Sequence, residues 1–159
     1  MTDQIVNVRI GQVKTGSNKE TLSALLGSCV GIALLWPDRE SYSLAHCLLS
    51  HSPTQSFEIG GKYVDQAVHS MIQLMKATPA DYSKIKAVVA GGGNMTKAGD
   101  CSKEELVGHH NSQAAIEVLN EWSIDIIYKD VGGVNGRKIR VFSANNGFEV
   151  QKIPRSDAA

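Results

Sequence analysis

At 159 residues the chain is the size of one domain, and two independent cores would be a squeeze. Hydrophobic residues at 42% against 20% charged give a globular rather than a disordered composition. Sixteen Lys+Arg balance sixteen Asp+Glu, which removes the electrostatic basis for general nucleic-acid or anionic-membrane binding. Three cysteines, Cys29, Cys47 and Cys101, are too few and too scattered for a secreted disulfide framework, and no CxxC pair marks a zinc knuckle or a redox centre. The opening stretch MTDQIVNVRIG lacks the basic start and unbroken apolar run of a signal peptide. The uncharged stretch 21–37 is too short and too polar to span a membrane. The expectation is one soluble, reduced, cytoplasmic domain over 1–159, its core about 5–153 and its tail from Pro154 frayed.

In chain order, Val6, Val8 and Ile10 alternate with polar residues as on a half-buried strand, and 15–18 reads as a turn. Thr21–Leu26 and Val30–Trp36 are apolar runs of strand length separated by Gly27-Ser28-Cys29. Pro37-Asp38 stops the second run, and 42–49 resumes as another strand. The stretch 51–61 reads as a surface loop. Val64, Ala67, Val68, Met71, Ile72 and Met75 recur at helical spacing, with Asp65, Gln66, His69 and Gln73 opposite. A short strand over 86–90 runs into Gly91-Gly92-Gly93-Asn94. A second helix is predicted over about 108–122, with Ala115, Val118, Leu119 and Trp122 on its buried stripe. A strand over 124–128 follows, then a glycine-rich turn at 132–136. Strands 138–143 and 148–153 flank Asn145-Asn146-Gly147, a hairpin signal because Asn-Gly tolerates positive φ. The pattern implies an α/β layered sandwich with mixed sheet and two main helices; strand order is not readable.

Chemistry concentrates at Gly27-Ser28-Cys29. A thiol directly after a tight turn has its backbone fixed by a strand, small neighbours that admit substrate, and amide N–H groups able to stabilise an oxyanion. Free cysteine is also among the most buried residue types, and the local pattern alone favours packing. His46, inside the apolar strand and 17 residues on, brings the nucleophile reading level with packing. An imidazole beside a thiol lowers its pKa and carries its proton, and antiparallel strands could bring the two together. Gly91-Gly92-Gly93-Asn94 lacks the Lys-Ser/Thr ending of a phosphate loop and does not match GxGxxG, so tight packing or turn geometry explains it better. His109-His110 with His46, Cys47 and His51 show no metal-ligand spacing. Cys47 reads as packing and Cys101 as loop.

Leu26-Gly27-Ser28-Cys29-Val30-Gly31, Ala45-His46, Lys62-Tyr63-Val64-Asp65, Gly91-Gly92-Gly93-Asn94-Met95, Gly108 with Asn111, and Asp130-Val131-Gly132-Gly133 with Gly136-Arg137 stand in a specific order. In these residues the chain resembles, from about Val8 to Val150, the chemoreceptor glutamine deamidases of bacterial chemotaxis, the CheD family. The resemblance implies a Cys-His hydrolase in a sandwich related to bacterial toxin deamidases, with no metal and no cofactor. Cys29 would attack the carboxamide of a receptor glutamine, ammonia would leave, and water would hydrolyse the thioester to glutamate. His46 would activate first the thiol and then the water. The family's third catalytic residue is a threonine six positions before the cysteine; Ser23 stands there, with Thr21 as fallback. The implied partners are the cytoplasmic domain of a chemoreceptor and a CheC-type phosphatase. The alternative function is that of a non-catalytic regulatory partner of that phosphatase. Two departures are Leu49-Ser50-His51-Ser52-Pro53, where the family has Leu-Pro, and Gly91-Gly92-Gly93, where it has Gly-Gly-Ala.

Overall fold

The structure is a computed structural model that describes residues 4–17, 19–54, 58–95, 103–145 and 147–154. In chain order the elements are β1 (Ile5–Asn7), β2 (Val13–Gly16), β3 (Thr21–Leu26), β4 (Val30–Trp36), β5 (Ser41–Cys47), α1 (Val64–Leu74), β6 (Lys86–Gly91), α2 (Lys103–Glu121), β7 (Asp125–Val131), β8 (Gly136–Phe142) and β9 (Gly147–Ile153). Among the described residues they build two mixed sheets, ordered β1-β3-β8-β9 and β2-β5-β4-β6-β7. The pairs β1–β3 and β6–β7 are parallel and the rest are antiparallel. This is the mixed α/β layering expected from the sequence.

One core fills the space between the sheets, where Leu22, Ala24 and Leu26 of β3 meet Ala33 and Leu35 of β4 and Ile139 and Val141 of β8. A second lies under the helices, where Val30, Ile32, Leu34 and Trp36 of β4 meet Val68 and Met71 of α1 and Ala115 and Leu119 of α2. Strand β4 is therefore buried on both faces, which is why its seven residues read as an unbroken apolar run. Each fully buried Leu or Ile here contributes roughly 1.5–3 kcal/mol of burial free energy. α1 turns its Val64, Ala67, Val68 and Met71 stripe to this core, as its periodicity predicts.

Several boundaries differ from expectation for physical reasons. The alternation at Val6, Val8 and Ile10 yields only the three-residue β1, because after Val8, whose N–H still bonds Ser23 of β3, the chain leaves the first sheet and crosses to the second; Ile10 is 58% exposed. Thr15 and Gly16 belong to β2 rather than to a turn, and Asn18 lies outside the described residues. β5 ends at Cys47, because Leu48 and Leu49 send their N–H groups to the Lys62 carbonyl instead. α2 begins at Lys103, five residues before the expected start, and carries Gly108 inside it. Glycine is a weak helix former, but a Cβ there would stand 2.7 Å from the Gly92 carbonyl oxygen, so close packing selects it. The hairpin at Asn145–Gly147 forms, with Phe142 facing Gly147 across it; Asn146 lies outside the described residues.

The two apolar runs either side of Gly27-Ser28-Cys29 are not a hairpin. β3 pairs with β8 in one sheet and β4 with β5 and β6 in the other, so the three-residue turn is the bridge between sheets.

Candidate active site

Three consecutive carbonyls of that bridging turn are held in place. Gly93 N–H donates to the Gly27 oxygen at 3.0 Å and Gly92 N–H to the Cys29 oxygen at 2.9 Å. The Asn111 side-chain amide donates to the Ser28 oxygen at 3.3 Å. The glycine run is thus a splint for the cysteine turn rather than a phosphate cradle. Gly91 and Gly92 have φ of +106° and +64°, a region costly for other residues. A Cβ on Gly91 would collide with the Cys29 carbonyl, and one on Gly92 with Ser112 Oγ. The run is braced in turn from the far side. Asn94 N–H donates to the Gly133 oxygen and Gly132 N–H to the Gly91 oxygen. Buried Arg137 ties the 132–135 turn together through the Gly132 and Asn135 carbonyls and through Asp130 at 3.1 Å.

His46 is 5% exposed and fixed on three sides. Its main chain accepts from Gly11 N–H and donates to the Gln12 oxygen. Its ring Nδ1 lies 2.9 Å from the Val8 carbonyl oxygen. A carbonyl only accepts, so Nδ1 carries the proton and Nε2 keeps its lone pair, the tautomer of a general base. The Val8 N–H donates in turn to the Ser23 carbonyl at 2.7 Å. Ser23 therefore joins this relay through its main chain, and the partner that orients the imidazole is Val8. Thr21 and Ser23 are both buried, on the face of β3 opposite Leu22 and Ala24.

The register brings the cysteine and the histidine to one end of the second sheet. Val30 faces Cys47 and Gly31 faces His46. Cys29 directly precedes Val30 and so lies two residues before Gly31, the partner of His46 on the neighbouring strand. No hydrogen bond joins the thiol to the ring among the described residues, a looseness common in sites without substrate.

Burial pushes the Cys29 thiol up to about 11 and holds His46 below its ordinary value; the Val8 hydrogen bond only partly offsets the latter. The resting pair is therefore a neutral thiol and a neutral imidazole. Desolvation opposes the lowering of the thiol pKa expected of the imidazole, because it penalises both charged forms in this dry position. Cys47 is raised too, by complete burial first and then by Cys29 and Asp65, which fits its packing role. Cys101 lies outside the described residues.

A cleft of about 510 Å³ opens on His46, walled by Val8, Ile10, Ser23 and Leu25, of which Ile10 and Leu25 are exposed. A second cavity of about 430 Å³ lies beyond the glycine run, between Ser112 of α2 and the 132–134 turn. Cys29, 6% exposed, lines neither cavity. Among the described residues no group of three or more His, Cys, Asp or Glu could hold a metal ion, and no helix is long and apolar enough to cross a membrane.

The roles of two parts of the site escaped sequence reasoning, although Asn111 stands among the residues that carry the resemblance. The Val8 carbonyl carries no signal, because any residue supplies a carbonyl. Asn111 had one: it falls at helical spacing with Ala115, Val118 and Leu119, and a polar side chain in a buried stripe needs partners.

The family model described as CheD chemotactic sensory transduction matches residues 48–152, which leaves Cys29 and His46 just outside the matched span. The matches to whole-length relatives span both positions. The chain is 36% identical over 166 residues to a probable chemoreceptor glutamine deamidase CheD 2 of Ruegeria sp. (strain TM1040), covering 94% of this chain and 93% of the relative. It is 39% identical over 150 residues to a probable chemoreceptor glutamine deamidase CheD of Bdellovibrio bacteriovorus, covering 94% and 96%. A third of that name, from Methanococcus vannielii, is 32% identical over 143 residues, covering 90% and 91%. Among solved structures, the hypothetical protein YfiH of Bacillus licheniformis aligns at a TM-score of 0.39 and 13% identity over 75% of this chain and 49% of its own, a likeness too low to argue from.

Proposed function

Because the chain belongs to the CheD family, we propose that it hydrolyses glutamine side chains of chemoreceptors to glutamate, with Cys29 as nucleophile and His46 as base. The observation that carries this reading is the histidine. Its Nδ1–H is spent on the Val8 carbonyl, so Nε2 is the free base, on the wall of a cleft and on the strand that pairs with the one opening directly after Cys29.

In the mechanism, His46 Nε2 takes the Cys29 proton as Sγ attacks the carboxamide carbon, so the thiolate forms only as it is consumed. The imidazolium then passes that proton to the amide nitrogen, the C–N bond breaks and ammonia leaves, with a thioester behind it. Water, deprotonated by the same Nε2, attacks the thioester; the C–S bond breaks, the proton returns to sulfur, and glutamate departs. Charge is created only transiently, which suits a dry pair that is neutral at rest. Ser23 serves by accepting the Val8 N–H, which orients the carbonyl that in turn orients His46. Since the substrate glutamines lie on a receptor's cytoplasmic domain, the enzyme works in the cytoplasm.

The test is to incubate the purified chain with a chemoreceptor cytoplasmic fragment, following ammonia release and glutamine-to-glutamate conversion by peptide mass spectrometry. Conversion that Cys29→Ala abolishes supports the reading. Conversion that persists in Cys29→Ala refutes it.

A further inference from the structure

Asn111 is 1% exposed, and its Nδ2 makes two hydrogen bonds, to the Leu48 carbonyl at 2.9 Å and to the Ser28 carbonyl at 3.3 Å. Leu48 lies two residues past His46, and Ser28 directly precedes Cys29. One side-chain amide on α2 therefore ties together the two segments that carry the proposed base and nucleophile.

The bond to Ser28 has a directional consequence. The Ser28–Cys29 peptide is trans, so the Ser28 carbonyl and the Cys29 N–H point in opposite directions. Drawing that carbonyl toward α2 aims the Cys29 N–H away from the helix. The carbonyls on either side are pinned by Gly92 and Gly93, so the turn cannot relieve the constraint by rotating as a unit. Among the described residues the Cys29 N–H donates to nothing. A free N–H on the nucleophile's own residue is placed to meet the oxygen of the carbonyl that the thiol attacks.

We propose that Asn111 is a positioning residue for the deamidation: it fixes the Ser28–Cys29 peptide so that the Cys29 N–H serves as the oxyanion donor. The proposal rests on the reading of Cys29 as nucleophile. An oxyanion donor acts on the tetrahedral intermediate and not on the thiol, which separates this role from mere packing. Iodoacetamide is attacked at a saturated carbon and forms no oxyanion, so its rate reports the ionisation and access of Cys29 alone.

The experiment compares wild type, Asn111→Ala and Cys29→Ala on a receptor cytoplasmic fragment, with Cys29 alkylation by iodoacetamide measured in the first two. Asn111→Ala should lower kcat by about tenfold or more, toward the 10²–10³ of a lost donor, with KM within about twofold and alkylation within about threefold. An unchanged kcat overturns the proposal. So does a fall in kcat matched by an equal change in alkylation, since the substitution then disturbs the whole turn. If Asn111→Ala does not accumulate as folded protein, Asn111→Ser, whose hydroxyl is too short to bridge both carbonyls, carries the same expectations. Turnover that survives in Cys29→Ala removes the nucleophile reading and this assignment with it. Turnover lost in Cys29→Ala but intact in the Asn111 variant removes this assignment alone.

Discussion

Alkylation of Cys29 as a function of pH tests the neutral resting pair directly. With the thiol raised to about 11, the thiolate fraction at pH 7 is about one part in ten thousand. A thiol near the ordinary 8.5 would be about a few per cent ionised, so Cys29 should react with iodoacetamide roughly a hundredfold or more slower than a free cysteine. The rate should climb about tenfold per pH unit from 7 to 10, without a plateau. Peptide mapping isolates the signal, since cleavage after Lys19 and Arg39 yields a fragment containing Cys29 but neither Cys47 nor Cys101. A plateau reached below pH 8 would mean a thiolate–imidazolium ion pair at rest. The burial argument would then be wrong, and the site would be wetter than the 6% exposure of Cys29 allows.

Three substitutions probe the rest of the site. His46→Ala should lower turnover by about 10²–10⁴-fold, the range for a lost general base, yet leave Cys29 alkylation at pH 7 within about threefold, because a neutral imidazole contributes little to thiol ionisation; equal losses in both assays would contradict the scheme. Ser23→Ala and Thr21→Ala should each keep kcat/KM within about threefold, since the Val8 relay uses the Ser23 carbonyl, and a tenfold loss in Ser23→Ala would restore its hydroxyl to the mechanism. Gly91→Ala should destabilise by about 1–3 kcal/mol from backbone strain alone and also displace the cysteine turn, so thermal melting and turnover should both fall. Gly133→Ala, also at positive φ but with open space around it, should lose stability and keep turnover; equal activity losses in the two would mean the glycine run does not brace Cys29.

What the sequence determined by itself is local. The runs at Thr21–Leu26 and Val30–Trp36, the α1 stripe and the glycine stops are legible because side-chain period and turn chemistry act between near neighbours. Cys29 and His46 stood out for the same reason, a thiol at a turn and an imidazole in an apolar strand. Tertiary structure decided everything that depends on who lies opposite. That β3 and β4 part into different sheets, turning a three-residue link into an inter-sheet bridge, follows from pairing with β8 and β6, each more than fifty residues away. The choice of the Val8 carbonyl as partner of His46 follows from β1 pairing beside β3 before the chain crosses over. The place of Gly108 inside α2 follows from its close approach to Gly92, where no side chain fits. The pKa values of the pair belong to the same class, because desolvation depends on how completely two sheets and a helix layer close over a residue, and no spacing of residues along the chain encodes that closure.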